Sequence, residues 1–289
     1  MTDSTIQRFA IGELAVTKVV DLVERMSPKV LYVDRAREDF DPHLDWLQPH
    51  FVTDDKLMLL SMHSMIIRTR HHTVLVDTCV GNHKSGSGFP QWNDRAGQYL
   101  VDLQRAGLRP EDIDFVFCTH MHVDHTGWNT MLADGRWVPT FPKATYLFNR
   151  REYDAWTAST DPHDRIVLQQ NIEPIIAAGQ VRWVDNDWGI DDQVSLLPTP
   201  GHTPGHCSVE LNSAGSRAVI TGDMMIHPVQ IAEPTWRQKA DFDKEQAIRT
   251  RSGFIERALA EDILVLGTHF HTPTAVRVVD TPAGRRIRI

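Results

Sequence analysis

Apolar positions fall in short blocks along the chain, and most blocks end at a turn residue. Residues 11–21 alternate enough to predict a strand. The stretch after it, with Pro28, Pro42, Pro49 and scattered charges, has no period and reads as irregular. Residues 1–54 are therefore taken as an N-terminal arm, a lid or an edge extension, on one domain spanning 1–289. Two strands follow, 58–69 and 73–78, joined at Arg70-His71-His72. The glycine-rich segment 81–90 is a loop, and it has neither GK[ST] nor GxGxxG spacing, so it is not a phosphate loop. Residues 94–106 predict a helix, with Tyr99, Leu100, Leu103 and Ala106 at helical spacing, Gly107 as its stop and Pro110 beyond. An apolar run, 113–118, reads as a buried strand. A strand at 145–148 and helices at 152–158 and 164–178 complete the first half.

The second half returns to strands at 181–184 and 194–197. A hairpin, 207–211 with 217–222, turns over 212–216. A helix is expected at 243–259, a strand at 263–266, and a last hairpin over 276–289 turning at Pro282-Ala283-Gly284. Each half thus carries strands and helices. A mixed pair of sheets with helices outside, an α/β (α+β) arrangement, fits this order.

The chemistry concentrates in one decapeptide, Thr119-His120-Met121-His122-Val123-Asp124-His125-Thr126-Gly127-Trp128. In an extended chain His120, His122 and Asp124 share a face, and His125 points away unless the chain turns. Gly127 makes such a turn easy. Burying four such side chains without a partner is costly, so a metal centre is the expectation, with room for two ions. Three later positions end strands. His202 sits in Pro200-Gly201-His202-Thr203-Pro204-Gly205-His206, Asp223 follows 218–222, and His269 follows 263–266, with His271 as its rival.

Composition narrows the setting. Of 289 residues, 41% are hydrophobic and 24% charged, as in an ordinary globular chain. A formal charge of −8 argues against a nucleic-acid or anionic-membrane partner. No apolar run is long enough to span a bilayer. Cys79, Cys118 and Cys207 are odd in number and form no CxxC, so buried reduced thiols in a reducing compartment are expected. Residues 1–7 have no basic start and no apolar core, so no signal peptide is expected and the default location is cytoplasmic.

Taken in order, HxHxDH, GHTPGH, TGD and a strand-end histidine resemble the metallo-β-lactamase superfamily over roughly residues 60–279. The resemblance implies a four-layer αββα sandwich. It implies that His120, His122 and His202 hold one metal, that Asp124, His125 and His269 hold a second, and that Asp223 bridges them. Two zinc ions are implied, with iron or manganese left open. Asp77 matches the family aspartate that supports the ligand loop, and His206 is read in a similar supporting role.

Within the superfamily, the departures point one way. β-Lactamases of this fold lack an aspartate at the place of Asp223, and its diiron oxidoreductases put a glutamate where His122 stands. What remains resembles the lactonase and esterase-like branch, which includes quorum-quenching acyl-homoserine lactonases and organophosphorus hydrolase relatives. That resemblance implies hydrolysis of a small-molecule ester or lactone by a hydroxide held between the metals, with Asp124 passing a proton to the leaving group. Phosphotriester or phosphodiester hydrolysis is the alternative. A homodimer is a weaker implication of the same branch. Lactonases place a tyrosine three residues after the bridging aspartate. Here that residue is Ile226, so His227 is the candidate for its polar role. Trp128, Met224 and Ile226 are candidates for the substrate pocket, as are Phe51, Phe89, Trp92 and Met225.

Overall fold

The computed structural model describes residues 5–289, so the N-terminal stretch read for a leader lies partly outside the described residues. Most of the longer apolar runs become strands of a seven-stranded sheet. They are β1 (Ile6–Ile11), β2 (Leu14–Met26), β3 (Met58–Arg68), β4 (Thr73–Val76) and β5 (Phe115–Phe117). A small hairpin follows, β6 (Thr130–Ala133) with β7 (Arg136–Pro139), and then β8 (Thr145–Asn149) and β9 (Val181–Val184). The sheet order is β1-β2-β3-β4-β5-β8-β9. β1/β2 and β3/β4 are antiparallel hairpins, while β4, β5, β8 and β9 run parallel. Parallel neighbours need crossovers, and helices supply them: Tyr99–Arg105 between β4 and β5, and the helical stretch from Arg150 to Ala177 between β8 and β9.

The second sheet comprises β10 (Val194–Pro198), β11 (Cys207–Ser213), β12 (Ser216–Ile220), β13 (Leu264–Leu266), β14 (Ala275–Thr281) and β15 (Gly284–Arg288), in sequence order. All its pairs are antiparallel except β12/β13. The helix Lys244–Ala260 makes that one parallel crossover. Its start is capped by Asp243, whose side chain accepts from the Gln246 N–H at 2.9 Å. The chain divides into two compact units, one from Met1–Leu22 and Met62–Asp185, the other from Val23–Ser61 and Asn186–Ile289. The residues read as an arm are thus divided at Leu22, and β2 crosses that point.

Several boundaries differ from the sequence reading, each for a physical reason. The predicted strand 11–21 is the second arm of a hairpin that turns at Gly12 (φ +57°), and it continues to Met26. Polar Gln7 and Arg8 mask the first arm in the sequence pattern. Residues 28–31 and 37–47 are short helical turns, not irregular chain. The helix expected from 94 starts only at Tyr99, because Asp94 has φ +51° and the Asn82 side chain bonds both the N–H and the C=O of Gly97. The hairpin β6/β7 has no counterpart in the sequence reading, although Asp134-Gly135 is a strong turn signal. The three cysteines are buried and form no disulfide. No described helix is long and apolar enough to cross a membrane.

Gly127 is required for contact, not for its turn. A Cβ there would lie 1.9 Å from the Val80 carbonyl oxygen. Gly127 N–H donates to Cys79 C=O and Trp128 N–H to Thr78 C=O, both at 2.7 Å. This places the 119–128 segment hard against the loop after β4. Gly253, inside the last helix, meets nothing within 4 Å. Gly127→Ala should therefore lose about 1–3 kcal/mol or more, while Gly253→Ala gains about 0.5–1 kcal/mol. Thermal melting of both variants against the parent checks the pair; similar shifts for the two would contradict the close-approach account.

Candidate metal centre

Every candidate ligand follows the carboxyl end of a strand, where loops carry chemistry on a fixed frame. After β5 the chain does not stay extended. His122 caps a short helix, Val123–Thr126, so Asp124 and His125 lie on a helical turn. The expectation that alternation along a strand aligns His120, His122 and Asp124 is corrected by this turn. His120 Nε2 and His122 Nδ1 come within 2.8 Å of each other. Two imidazole nitrogens approach so closely either by sharing a proton or by pointing lone pairs at one cation.

Asp77 carries this half from behind. It follows β4 with φ +58°, a conformation that costs a non-glycine residue about 1–3 kcal/mol. Its carboxylate accepts from Thr119 N–H at 2.7 Å and faces His125 Nδ1 at 2.9 Å. That contact holds the His125 proton on Nδ1 and leaves Nε2 with a lone pair. Glu152, buried and unforeseen, accepts from Met121 N–H (3.1 Å) and Trp156 Nε1–H (2.9 Å) and so fixes the backbone between His120 and His122.

The loop after β10 presents His202 by similar means. Gly201 (φ +133°) would place a Cβ 2.4 Å from the backbone N of Ala247, so only glycine fits against the last helix. Phe242 N–H donates to His202 C=O and Asp243 N–H to Gly201 C=O, tying the loop to the helix start. His202 Nδ1 faces Asp241 at 3.0 Å, and Asp241 also accepts from Gln238 N–H at 2.9 Å. Arg251, fully buried, lies 3.8 Å from Asp241 and donates to the carbonyls of Met224, Pro234 and Trp236. None of Asp241, Gln238 and Arg251 stands out in the sequence, because no short motif contains them. Their one signal there is the density of charged residues around the start of the last helix.

Asp223 follows β12. Its N–H donates to His206 Nε2 (2.9 Å), and its C=O accepts from Gln238 Nε2 (2.8 Å). His206 therefore carries its proton on Nδ1 and gives it to Thr199 Oγ1 at 2.8 Å. Thr199 passes on to Ser208, and Ser208 donates to the Thr221 carbonyl at 2.7 Å. The Asp223 carboxylate faces His269 Nε2 at 3.0 Å through one oxygen and His202 Nε2 at 3.5 Å through the other. His271 instead meets the His50 carbonyl at 2.9 Å.

Ligand atoms of His120, His122, His202 and Asp223 all lie within 4.8 Å of one another, and those of Asp124, His125 and His269 form a second such group. A profile of the Metallo-beta-lactamase superfamily matches residues 59–250. The chain belongs to the metallo-beta-lactamase superfamily. Among curated relatives, an N-acyl homoserine lactonase from a Bacillus species is 26% identical over 181 residues, 58% of this chain and 65% of that protein. The chain thus spans just under two thirds of that relative's length. An N-acyl homoserine lactonase AttM from Azorhizobium caulinodans is 31% identical over 118 residues, 38% and 40% of the two chains. In fold, the chain matches the crystal structure of hydrolase AbOPH in the beta lactamase superfamily. The TM-score is 0.80 at 21% identity, over 99% and 98% of the chains. It also matches AidC, a dizinc quorum-quenching lactonase with a bound product, at TM-score 0.78 and 20% identity over the same shares.

Not every candidate sits where the superfamily resemblance put it. His227 is fully buried, its Nε2–H donates to Phe51 C=O at 2.9 Å, and its Nδ1 accepts from Val229 N–H at 3.2 Å. Phe40 and Phe51 pack edge-on against its ring. Both nitrogens are taken, so His227 is a packing residue and not the replacement for a tyrosine. Trp128 is buried and stacked on Tyr99 (5.4 Å between centroids), which makes it core and not pocket wall. Phe89 and Trp92 stack on each other, and Phe51 packs on Phe270. Met224, Met225 and Ile226 are buried, and the Ile226 N–H is held by Gln230 Oε1.

Burial pushes the His227 imidazole down to about 4, so it is neutral near pH 7. The unfolded chain takes up this proton below about pH 6.5, the folded chain only below about 4. Stability from His227 is therefore complete above about pH 6.5 and is lost as pH falls toward 4, up to about 3 kcal/mol. Denaturant melts of metal-free protein at pH 7 and pH 4.5 should show His227→Gln losing less stability on acidification than the parent. An equal loss in both would put the acid sensitivity elsewhere. Asp241→Asn should weaken zinc binding about 10- to 100-fold in a chelator competition with the fold retained.

Proposed function

We propose that the protein is a metal-dependent hydrolase that opens lactones or cleaves carboxylic esters at a two-metal site. The observation that carries this reading is the pair of neighbouring ligand groups. Five imidazoles and two carboxylates are a donor set that zinc accepts, and iron or manganese would be served by the same atoms. His120, His122 and His202 would hold one ion, and Asp124, His125 and His269 the other. Asp223 would serve both, since its two oxygens face one histidine of each group. Ions held there supply Lewis acidity and lower the pKa of water to about 7.

The chain's own residues do the rest. Asp77 and Asp241 keep the protons of His125 and His202 on Nδ1, so that each Nε2 stays a donor of electrons. His206 and Gln238 fix the backbone of Asp223 on either side. Asp124 is the one half-buried carboxylate of the two groups, with Oδ1 3.7 Å from His125 Nε2, and would take up the proton that the attacking water gives up and return it to the leaving alkoxide. No serine or cysteine nucleophile is required. The names of the curated relatives favour N-acyl homoserine lactones as the first substrates to try.

The test is proton release from a long-chain acyl-homoserine lactone at pH 8, with and without a chelator. Fast, chelator-sensitive release is expected. A metal-loaded protein that releases none removes the lactone reading and sends the same site to aryl esters and phosphotriesters. His122→Ala and Asp223→Ala should lose bound metal and activity together. Full activity at reduced metal content in either variant would sink the ligand assignment.

A further inference from the structure

A cleft of about 390 Å³ opens beside the helical turns that follow β2, and none of the candidate metal ligands lines it. Its apolar lining is Tyr32, Val33 and Ala36. Its charged lining is Lys29, Arg35 and Lys239, with Asp34 as the one carboxylate. All of these residues belong to the unit formed by Val23–Ser61 and Asn186–Ile289. Cations thus outnumber anions here, in a chain whose formal charge is −8. Neither lysine forms an ion pair among the described residues, and neither does Asp34. The Lys239 ammonium donates instead to the Lys29 carbonyl at 2.6 Å, and the Lys239 N–H to Leu31 C=O at 2.7 Å.

Two exposed lysines alone would be an ordinary solvated face. Arg35 is of another kind. Its guanidinium lies over the Trp236 ring, 5.1 Å from the centroid, and Trp236 is packed edge-on by Tyr32 and Phe40. Its Nε is buried and has no hydrogen-bond partner among the described residues. Asp39 stands 3.8 Å from Nη1, too far for a hydrogen bond, and accepts from the Ala36 N–H at 2.7 Å. A buried donor left without an acceptor is uncommon in proteins. A guanidinium held flat on a ring, with an N–H to spare, is the group that recognises carboxylate and phosphate oxygens, and its side chain is already ordered before a ligand arrives. The cleft has the volume of a small-molecule pocket, so it holds more than an inorganic ion, and its apolar lining suits a body behind a charged head.

We propose that this cleft is a second binding site, separate from the metal centre, for a small organic anion. The carboxylate or phosphate head lies against Arg35, Lys29 and Lys239, and a short apolar body lies against Tyr32, Val33 and Ala36. A carboxylate head is what ester or lactone hydrolysis releases, and a phosphate head belongs to phosphorylated metabolites. The proposal stands whether or not the metal centre hydrolyses esters.

The experiment is calorimetric titration of hexanoate and of hexyl phosphate into the metal-loaded full-length protein at low salt, with hexyltrimethylammonium as the cationic control. At least one of the anions should bind and the cation should not. The tighter of the two anions names the head that the cleft prefers. Arg35→Gln should weaken that binding about 10-fold or more, and Lys29→Gln about 2- to 5-fold, at unchanged zinc content and Tm. Anion binding that both variants leave unchanged lies elsewhere, at the metals for instance, and overturns the proposal. So do a parent that binds neither anion and a parent that binds the cation as well as the anions. If Arg35→Gln fails to fold, Lys29→Gln decides alone, since that side chain is exposed, and an unchanged affinity there overturns the proposal.

Discussion

An imidazole can give a lone pair to a cation from one ring nitrogen only if its proton sits on the other, and inside a protein that proton needs an acceptor. Much of the structure around the seven candidate ligands answers this constraint. Asp77 takes the outer nitrogen of His125 and Asp241 that of His202. Each of these carboxylates is then held by a backbone N–H, Thr119 for the first and Gln238 for the second. Asp77 keeps a left-handed backbone, and Asp241 has a fully buried arginine close by. A buried carboxylate without such donors would be left with unsatisfied lone pairs, at a cost, and would hold its histidine less firmly. The supports are therefore as necessary to the site as the ligands they position.

The same constraint governs where the glycines fall. A loop that must aim a short side chain at a fixed point has to lie close to its neighbours, and Cβ atoms are what prevent close approach. Gly127 lies where a Cβ would strike the Val80 carbonyl, and Gly201 where it would strike the Ala247 nitrogen. In both, the backbone N–H or C=O of the tight segment is hydrogen-bonded across the contact, Gly127 to Cys79 and Gly201 to Asp243. Neither loop depends on side-chain packing alone to hold its histidines.

The ligands were legible in the sequence because their chemistry is dense. Four ligand-type residues in a hexapeptide, followed by His202, Asp223 and His269 at strand ends, would be costly to bury together unless a cation compensated them. The β-strands were legible because uninterrupted apolar runs such as 113–118 and 263–266 are buried most simply as strands. The supports were not legible. Asp241, Gln238, Arg251 and Glu152 are ordinary polar residues whose role exists only once the chain has folded. Asp77 was found only because a family pattern marked it. Periodicity also failed where local hydrogen bonding outweighed it, as at 94–98, where the Asn82 side chain grips the Gly97 backbone, and at 123–126, where a helical turn replaces an extended strand. His227 shows the opposite error. Next to Met225 and Ile226, a histidine looked like chemistry, but burial and two backbone partners leave it none.

The stretch before β3 shows how little a lack of pattern says about function. Its prolines and charges suggested an irregular arm, a lid or an edge extension. In the folded chain its Phe40 and Phe51 rings enclose His227, the Phe51 carbonyl accepts the His227 proton, and Tyr32 pairs with Gln238. Gln238 in turn holds the carbonyl of Asp223. A single residue, Gln238, thus lies between the arm and a candidate ligand. A segment so placed cannot move away as a lid without releasing the partner of His227 and the strand-like bridge at Gln238. Both are buried, and exposing them would strand hydrogen-bonding groups on each side. Residues 32–51 are better understood as part of the wall against which residues 223–241 are folded.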